Sequence, residues 1–540
     1  MPRFQSRVQP GSAEYQANRA GMLALVDELR EIEARAAALS EKRRPRFEER
    51  GQLLPRERVA ALLDPGMPFL QLYGLANYLV DDEDPATSVP GASSIAGIGF
   101  VGGVRAMIFA SDSGISAGAM LVRTGEKLRA CLDIALDKKL PFIFLVESAG
   151  ANLLDYRVET WSRGGGAFFR MARLSAAGIP SFVILHGPSV AGGAYFPGMA
   201  DYVIAVKGRG RAALGGAALV RAATGEIADE EDLAGAEMHA TRTGSVEYLA
   251  EDDADAIATL RDLIGRTGWN DRCGADDRGA AVPPHYDPDQ LAGVVPVDYR
   301  TAFDMREVVA RIVDGSDFQE YKPRYGAASL CCHGAIMGIP CGIVGNNGPF
   351  DTQGATKVAQ FLQACDQAGL PVIFLNNITG FMVGKSYEHA GMIKHGSKLI
   401  QAVSNLRTPR ISLFIGASFG AGNYAMCGAA FEPDFLFTWP NAQTGVMGGE
   451  QAAMTMEQVA RSGAERRGVP VDEDGLARQR ARLETHYNRQ SHAFYTSGRL
   501  LDQGVIDPRD TRRVLGFALE TCREARARDL SPNTFGVARQ

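Results

Sequence analysis

LPFIFLVESAGA at Leu140–Ala151 and LPVIFLNNITGF at Leu370–Phe381 are one phrase written twice. Each opens on Leu-Pro, continues as a short unbroken apolar run, and closes on a glycine-bearing turn. Such a run between turn signals reads as a strand buried on both faces, the kind a parallel sheet needs. Working outward, the upstream neighbours also pair: GIGFVGGVRAMIFASD (Gly97–Asp112) against GAIMGIPCGIVGNNG (Gly334–Gly348). Downstream, GIPSFVILHGPSVAGGAY ends at Tyr195, and LRTPRISLFIGASFGAGNY ends at Tyr424. The interval from Pro141 to Gly192 nearly equals that from Pro371 to Ala421. Three matches in the same order at a near-constant offset predict a duplicated fold.

The rest of the chain fits around that duplication. At 540 residues, two domains are the natural expectation. Residues 17–63 carry Met22, Leu23, Leu25, Val26, Leu29 and Ile32 at helical spacing, then dense charge, which predicts an N-terminal helical extension. Asp64-Pro65-Gly66 marks a turn. From Ser94 onward, short apolar runs alternate with longer amphipathic segments, the rhythm of a sheet covered by helices. The Gly/Pro/Asp-rich stretch Cys273–Gln290 reads as a linker, giving domains at 1–285 and 286–540.

Composition excludes several classes of function. The net charge of −6 and pI near 5.9 leave no electrostatic footprint for nucleic acid or an anionic membrane. No apolar run reaches the roughly 18 residues of a spanning helix, and the N-terminus has no secretory apolar region. The eight cysteines include no CxxC pair, and Cys331-Cys332 are too close in sequence for zinc-ligand spacing. They read as reduced thiols of a cytoplasmic enzyme; Arg3, Arg7 and Arg19, in an acid-poor region, leave a mitochondrial matrix location open for a eukaryotic source. No HxxxH or HExxH occurs, so no metal is expected; His395 is the histidine to watch.

In each half an apolar strand (Phe182–Leu185; Ile411–Ile415) runs into a turn of small residues. These are Ala191-Gly192-Gly193-Ala194 and Gly420-Ala421-Gly422-Asn423. Small residues between a strand and a helix leave backbone N–H groups uncovered and aimed by the helix dipole. Two such donors stabilise a developing oxyanion in a dry site. Having the device twice suggests a reaction in which two carbonyl groups gain negative charge.

Two other motifs compete. Gly97-Ile98-Gly99-Phe100-Val101-Gly102 matches GxGxxG, but Gly103–Phe109 reads as a second strand, so the dinucleotide context fails. Gly416-Ala417-Ser418-Phe419-Gly420 matches the nucleophile elbow GxSxG, with Asp434, His486 and His492 downstream. A serine hydrolase is therefore a rival, one that Ser418→Ala would abolish. The first repeat shares the glycines of this turn rather than the elbow, which favours the backbone reading.

The ordered motifs RERVAALLDPG (Arg56–Gly66), AGGAY, AATGE (Ala222–Glu226), RIVDGSDF (Arg311–Phe318), GIVGNNG (Gly342–Gly348), NITGFMVG (Asn377–Gly384), FGAGNYAMCG (Phe419–Gly428), GVMGGEQAA (Gly445–Ala453) and GVIDPRDTRRVLG (Gly504–Gly516) cover nearly the whole chain. In this order they resemble the carboxyltransferase (β) subunits of biotin-dependent acyl-CoA carboxylases. The resemblance implies an α/β fold of two tandem crotonase-like (ClpP/crotonase) superdomains of ββα repeats behind the helical extension. The first would bind acyl-CoA and the second carboxybiotin, with the active site between the N half of one subunit and the C half of a neighbour. It implies a β-subunit hexamer working with a biotin carboxylase and biotin carboxyl carrier (α) subunit that supplies carboxybiotin, and no metal in this chain.

By the same resemblance, Gly192 and Gly193 would hold the thioester enolate, and Ala421 and Gly422 the negative charge on biotin's ureido oxygen. Ala149, Gly150, Ala151, Ala191, Gly216 and Ala217 would line the acyl-CoA side. Asn377, Thr379, Gly380, Phe381, Phe419, Gly420, Gly448 and Gly449 would line the biotin side. The wording leans to subunits acting on branched α,β-unsaturated thioesters, geranyl-CoA and 3-methylcrotonyl-CoA; a saturated acyl-CoA (propionyl, acetyl or longer) is the alternative. Departures cluster in the first half, where the family commonly reads Lys-Gly-Gly for Ser116-Ala117-Gly118, Gly-Gly-Ala for Ala149-Gly150-Ala151, and Gly-Pro-Pro for Gly216-Ala217-Ala218. They point to an altered acyl pocket. A transcarboxylase or decarboxylase would share this site; a single-domain hydratase would not need the duplication.

Overall fold

A computed structural model describes residues 4–150, 158–274 and 278–533. The predicted helical extension is three helices: Ala13–Glu41, Arg44–Glu49 and Pro55–Leu62. Pro45 and Pro55 sit in the first turns of the second and third, where a missing N–H costs nothing. Met22, Val26, Leu29, Ile32 and Ala36 are all buried on the long first helix, as their three-and-four spacing requires.

Two eight-stranded sheets follow. The first comprises β1 (Leu70–Gln71), β2 (Ser94–Val101), β3 (Val104–Ser111), β4 (Phe142–Ser148), β5 (Ser181–Val190), β6 (Tyr202–Val206), β7 (Arg211–Ala213) and β8 (Tyr248–Ala250). The second comprises β9 (Gln319–Glu320), β10 (Ser329–Ile336), β11 (Ile339–Asn346), β12 (Val372–Ile378), β13 (Arg410–Phe419), β14 (Phe435–Thr438), β15 (Gln443–Gly445) and β16 (Gly504–Val505). The first sheet runs β1-β2-β3-β4-β5-β6-β8 with β7 beside β5. The second runs β9-β10-β11-β12-β13-β14-β16 with β15 beside β13. Each strand of one has its counterpart eight places on in the other, so the duplication is complete.

In both sheets an antiparallel hairpin (β2/β3; β10/β11) leads into parallel pairing. A long helix follows each hairpin, Val122–Asp137 and Thr352–Gln367, completing a ββα unit. GxGxxG therefore lies on the β2/β3 hairpin, as its strand-like sequel implied. β3 and β4 are buried along their whole length, which explains their unbroken apolar runs.

The chain forms two compact units. The first sheet belongs to Glu31–Asp276 with Thr521–Gln540, and the second to Met1–Arg30 with Asp277–Glu520. Each unit repeats two devices that the sequence comparison did not single out. Two residues past a helix, Pro55–Leu62 or Met305–Ile312, comes an aspartate, Asp64 or Asp314, whose carboxylate accepts two N–H bonds from the hairpin turn, at Gly102 and Gly103 or at Met337 and Gly338. A fully buried lysine on the long helix, Lys127 or Lys357, donates to the carbonyl that opens the first hairpin strand, Ser94 O at 2.9 Å or Ser329 O at 2.7 Å. Burial lowers both ammonium groups, Lys127 to about 8.

Seven of the eight cysteines are buried and all are reduced. Burial pushes the Cys131, Cys365 and Cys427 thiols up to about 12, and those of Cys331, Cys332 and Cys341 higher still. No helix among the described residues is long and apolar enough to cross a membrane.

Candidate active site

Both small-residue turns begin with the same backbone reversal. Val190 ends β5 at φ −110°, and Ala191 then takes φ +55°. Phe419 ends β13 at φ −113°, and Gly420 takes φ +56°. A left-handed residue straight after an extended one turns the chain sharply into a helix, Ala191–Ala194 leading to Tyr195–Met199, or Gly420–Ala425. The N–H groups of Gly192 and Gly193, or of Ala421 and Gly422, thus fall in a first turn, where no earlier carbonyl of the helix can accept them. Gly192 and Ala421 are exposed. Ala191 does with a methyl group what Gly420 does without one, at a cost of about 1–2 kcal/mol.

A second loop lies beside each turn. Met120 N donates to Gly150 O at 3.0 Å, and the counterpart Phe350 N donates to Gly380 O at 3.1 Å. On the second turn a side chain at Gly422 would place Cβ 2.7 Å from Ile378 Cγ1 and 3.1 Å from Gly380 Cα. Only glycine fits there, so Gly380 and Gly422 are in contact. On the first turn the corresponding Gly193 would meet only Ser189 Oγ, at 3.0 Å.

The other expected residues take distinct roles. Thr379 is exposed, while the Phe381 ring packs against Phe350 at a 35° tilt with ring centroids 5.4 Å apart. Phe419 is buried and meets the Tyr299 ring edge-on at 5.3 Å. A Cβ on Gly448 would lie 2.6 Å from Tyr299 Oη, and one on Gly449 would lie 2.6 Å from Asn488 Oδ1. Tyr299 therefore belongs to this cluster, though no sequence motif contained it. Gly448 precedes helix Gly449–Arg467 just as Gly216 precedes Ala217–Thr224. Asn377 is half-buried, and its Oδ1 accepts from Ala417 N at 3.2 Å, over the bare face of Gly416.

In the first unit, Ala149 is exposed and Gly150 is left-handed at φ +87°. Ala151 lies outside the described residues. Ala149 N donates to Ala117 O at 3.0 Å, so two of the three departures from the family wording touch. Ser116, Ala117 and Gly118 form a left-handed run at φ +48°, +51° and +68°. Only Gly118 is sterically compelled, since a Cβ there would lie 2.2 Å from Glu147 O.

The serine-hydrolase alternative is overturned. Ser418 is wholly buried, and its hydroxyl donates to Asn376 Oδ1 and accepts from Asn423 Nδ2. The downstream triad candidates are engaged elsewhere: Asp434 accepts from Arg410 N, His486 bonds Gln490, and His492 caps its own helix at Phe494 N. His395 bonds Thr356.

Beneath the first turn lies a buried ionic cluster. Arg58 bonds Glu147 at 2.5 Å and Asp253 at 2.9 Å, and His186 Nδ1 bonds the other Asp253 oxygen at 2.8 Å. Burial opposes charge on Asp253, but its His186 and Arg58 partners and the N–H of Leu53 outweigh it and hold the carboxyl at about 2. Burial and the Arg58 charge push His186 down, against its Nδ1 bond to Asp253. In the second unit the counterparts of Arg58, Glu147 and His186 are Val308, Asn377 and Ile415.

Comparison with known proteins agrees with this architecture. Residues 46–536 match the carboxyl transferase domain family. The chain is 44% identical over 538 residues to a probable biotin-dependent acyl-coenzyme A carboxylase beta2 subunit of Mycobacterium tuberculosis, covering 99% of this chain and 100% of that one. It is 43% identical over 495 residues to the biotin-dependent 3-methylcrotonyl-coenzyme A carboxylase beta1 subunit of the same organism, covering 91% and 92%. The crystal structure of the P. aeruginosa geranyl-CoA carboxylase beta subunit superposes with a TM-score of 0.93 at 44% identity, over 100% of both chains. Two tandem crotonase-like units with paired strand-to-helix turns are the shared frame, and the chain belongs to the carboxyl transferase family, among the β subunits of biotin-dependent acyl-CoA carboxylases.

Proposed function

We propose that residues 1–285 bind an acyl-CoA, that residues 286–540 bind carboxybiotin, and that the chain transfers CO2 between them through two sets of backbone donors. The observation that carries this reading is the repeated left-handed turn at Ala191 and Gly420, which uncovers the same N–H groups in both units. Carboxybiotin, delivered by a biotin carboxylase/carrier partner, supplies the CO2 and a ureido nitrogen able to take the substrate proton. The bare face of Gly422, where a Cβ would meet Ile378 at 2.7 Å and the Gly380 backbone at 3.1 Å, fits a flat ring approaching the backbone closely.

In this reading Gly192 and Gly193 N–H stabilise the thioester oxygen as the acyl group loses its proton. Ala421 and Gly422 N–H stabilise the ureido oxygen. For a β-methyl enoyl thioester the proton leaves the γ carbon, and the charge reaches the same oxygen through the double bond. The chain's contribution is positional and electrostatic. The substrate is a branched α,β-unsaturated acyl-CoA, supported by the 3-methylcrotonyl- and geranyl-CoA activities named for two relatives. The Ser116–Gly118 and Ala149 departures tune the acyl pocket. The working form is a β-subunit hexamer in the cytoplasm.

The test is labelled-bicarbonate incorporation by the chain with its biotinylated partner, ATP and a panel of straight, branched and unsaturated acyl-CoAs. Label in the acid product of a branched enoyl-CoA is expected. Best turnover of acetyl- or propionyl-CoA would overturn the substrate, and no label with any acyl-CoA would overturn the reaction.

A further inference from the structure

We infer that Asn376, Ser418, Asn423 and Thr444 form a positioning lock that fixes the aim of the Ala421 and Gly422 N–H groups, and that the elbow serine serves as its hub instead of as a nucleophile. The inference rests on the assignment of the second turn to biotin.

The hydrogen bonds close on themselves. Asn423 Nδ2 donates to Ser418 Oγ at 2.8 Å and to Thr444 Oγ1 at 3.3 Å. Ser418 Oγ donates to Asn376 Oδ1 at 3.1 Å, and Thr444 Oγ1 donates to Ser418 O at 2.8 Å. Asn376 Nδ2 reaches Met426 O at 3.1 Å, just past the far end of helix Gly420–Ala425. Asn423 also occupies the space over Gly428, where a Cβ would come within 1.9 Å of its Oδ1, and Gly428 N bonds Asn423 O. Both ends of the six-residue helix are thus tied to the strands that launch it. Asn376 and Ser418 are wholly buried, so each bond lost would strand a polar group without water.

The first unit shows that the turn folds without this network. Strand register makes Val146, Ser189, Ala194 and Ala212 the counterparts, so three of the four polar groups are apolar there. Among the described residues, the remaining Ser189 hydroxyl donates to Gly193 O alone, at 2.8 Å. The same reversal at φ +55° survives. What the second turn gains is therefore rigidity. A chemical reason follows from the two substrates. Acyl-CoA brings a large nucleotide handle whose remote binding energy can orient its thioester. Biotin presents a small bicyclic head on a flexible tether, so the aim of the donors has to be built into the protein.

The test uses the full complex with saturating partner and compares Asn423→Ala, Thr444→Val and Thr444→Ser with the parent chain. The expected result for Asn423→Ala is a kcat about tenfold to a hundredfold lower, with KM for acyl-CoA unchanged, since misaiming a donor costs less than removing it. Thr444→Val should lose several-fold in kcat, and Thr444→Ser, which keeps the hydroxyl, should recover it. Kinetics are referred to the folded fraction measured by thermal unfolding. A purely structural network would lower the unfolding midpoint while leaving kcat per folded complex unchanged, and that outcome overturns the lock. Equal loss in Thr444→Ser and Thr444→Val also overturns it. Failure of the parent complex to carboxylate any acyl-CoA would instead sink the functional reading beneath it.

Discussion

The two units use the same turn but brace it with opposite chemistry. Under the first, Arg58, Glu147, Asp253 and His186 form a buried ionic cluster at the strand ends, and among the described residues one serine bond, from Ser189 to Gly193 O, holds the turn itself. Under the second, the counterpart positions Val308, Asn377 and Ile415 carry no charge, and neutral amides and hydroxyls bind the turn directly. A buried ion pair adds little net stability once desolvation is counted, yet the penalty is large if one partner leaves. Neutral networks are weaker per bond, but they set geometry at close range. The first unit therefore invests in the floor and the second in the donors.

Breaking the floor should have the largest effect. Arg58→Met leaves Glu147 and Asp253 buried without their cation and should cost about 3–5 kcal/mol. The corresponding Val308→Ala should cost less, about 1–3 kcal/mol as a buried large-to-small change. Denaturant unfolding of both variants checks the order, and equal losses would remove the distinction between the two floors.

The buried aspartates sharpen the contrast through pH. Asp253 of the first unit is held at about 2, below its ordinary 3.8. Its contribution to stability is full above pH 4 and fades as pH falls towards 2. Asp502 of the second unit is pushed up to about 6, chiefly by burial, against the bonds from Ser497 and Thr438. Its contribution is full below pH 4 and is lost as pH rises through 6. Unfolding midpoints across pH 2–7 should lose the acid limb in Asp253→Asn and the slope between pH 4 and 6 in Asp502→Asn. The reverse assignment would contradict both environments.

The smallest effects come from the shared left-handed residue. Ala191→Gly relieves a strained backbone and should stabilise by less than about 1 kcal/mol, because glycine's extra unfolded freedom offsets part of the gain. Gly420→Ala should destabilise by about 1–2 kcal/mol, with its new Cβ only 3.1 Å from Val446 O. Opposite signs at equivalent positions, read as shifts in denaturant midpoint, would show that the first turn carries strain and the second does not.

Much of this was legible in the sequence, because a duplicated α/β fold writes its parallel strands as apolar runs and its turns as glycines. LPFIFLVES and LPVIFLNNI are β4 and β12, and the paired small-residue turns fall where those runs predict. The bracing was not legible. Arg58, Glu147, His186 and Asp253 span almost 200 positions, and no local pattern joins them. Tyr299 was hidden for the same reason, reaching Gly448 from a loop outside every motif. Ser418 misled in the opposite direction. GxSxG describes a backbone shape that both elbows and oxyanion turns need, and only the neighbouring Asn376 and Asn423 decide whether its hydroxyl faces solvent. Asn377 opens NITGFMVG, and its bond from Ala417 N was equally invisible to a motif.

The sunken thiols add a use that has nothing to do with carboxyl transfer. Cys131 lies in the first unit, while Cys331, Cys332, Cys341, Cys365 and Cys427 lie in the second, all shielded and hard to ionise. An alkylating reagent meets none of them until the surrounding sheet opens. Mass increments at Cys131 and at the second unit's set therefore act as two separate clocks built into the native chain. Read side by side, they time the loosening of each half of the molecule without a single engineered label.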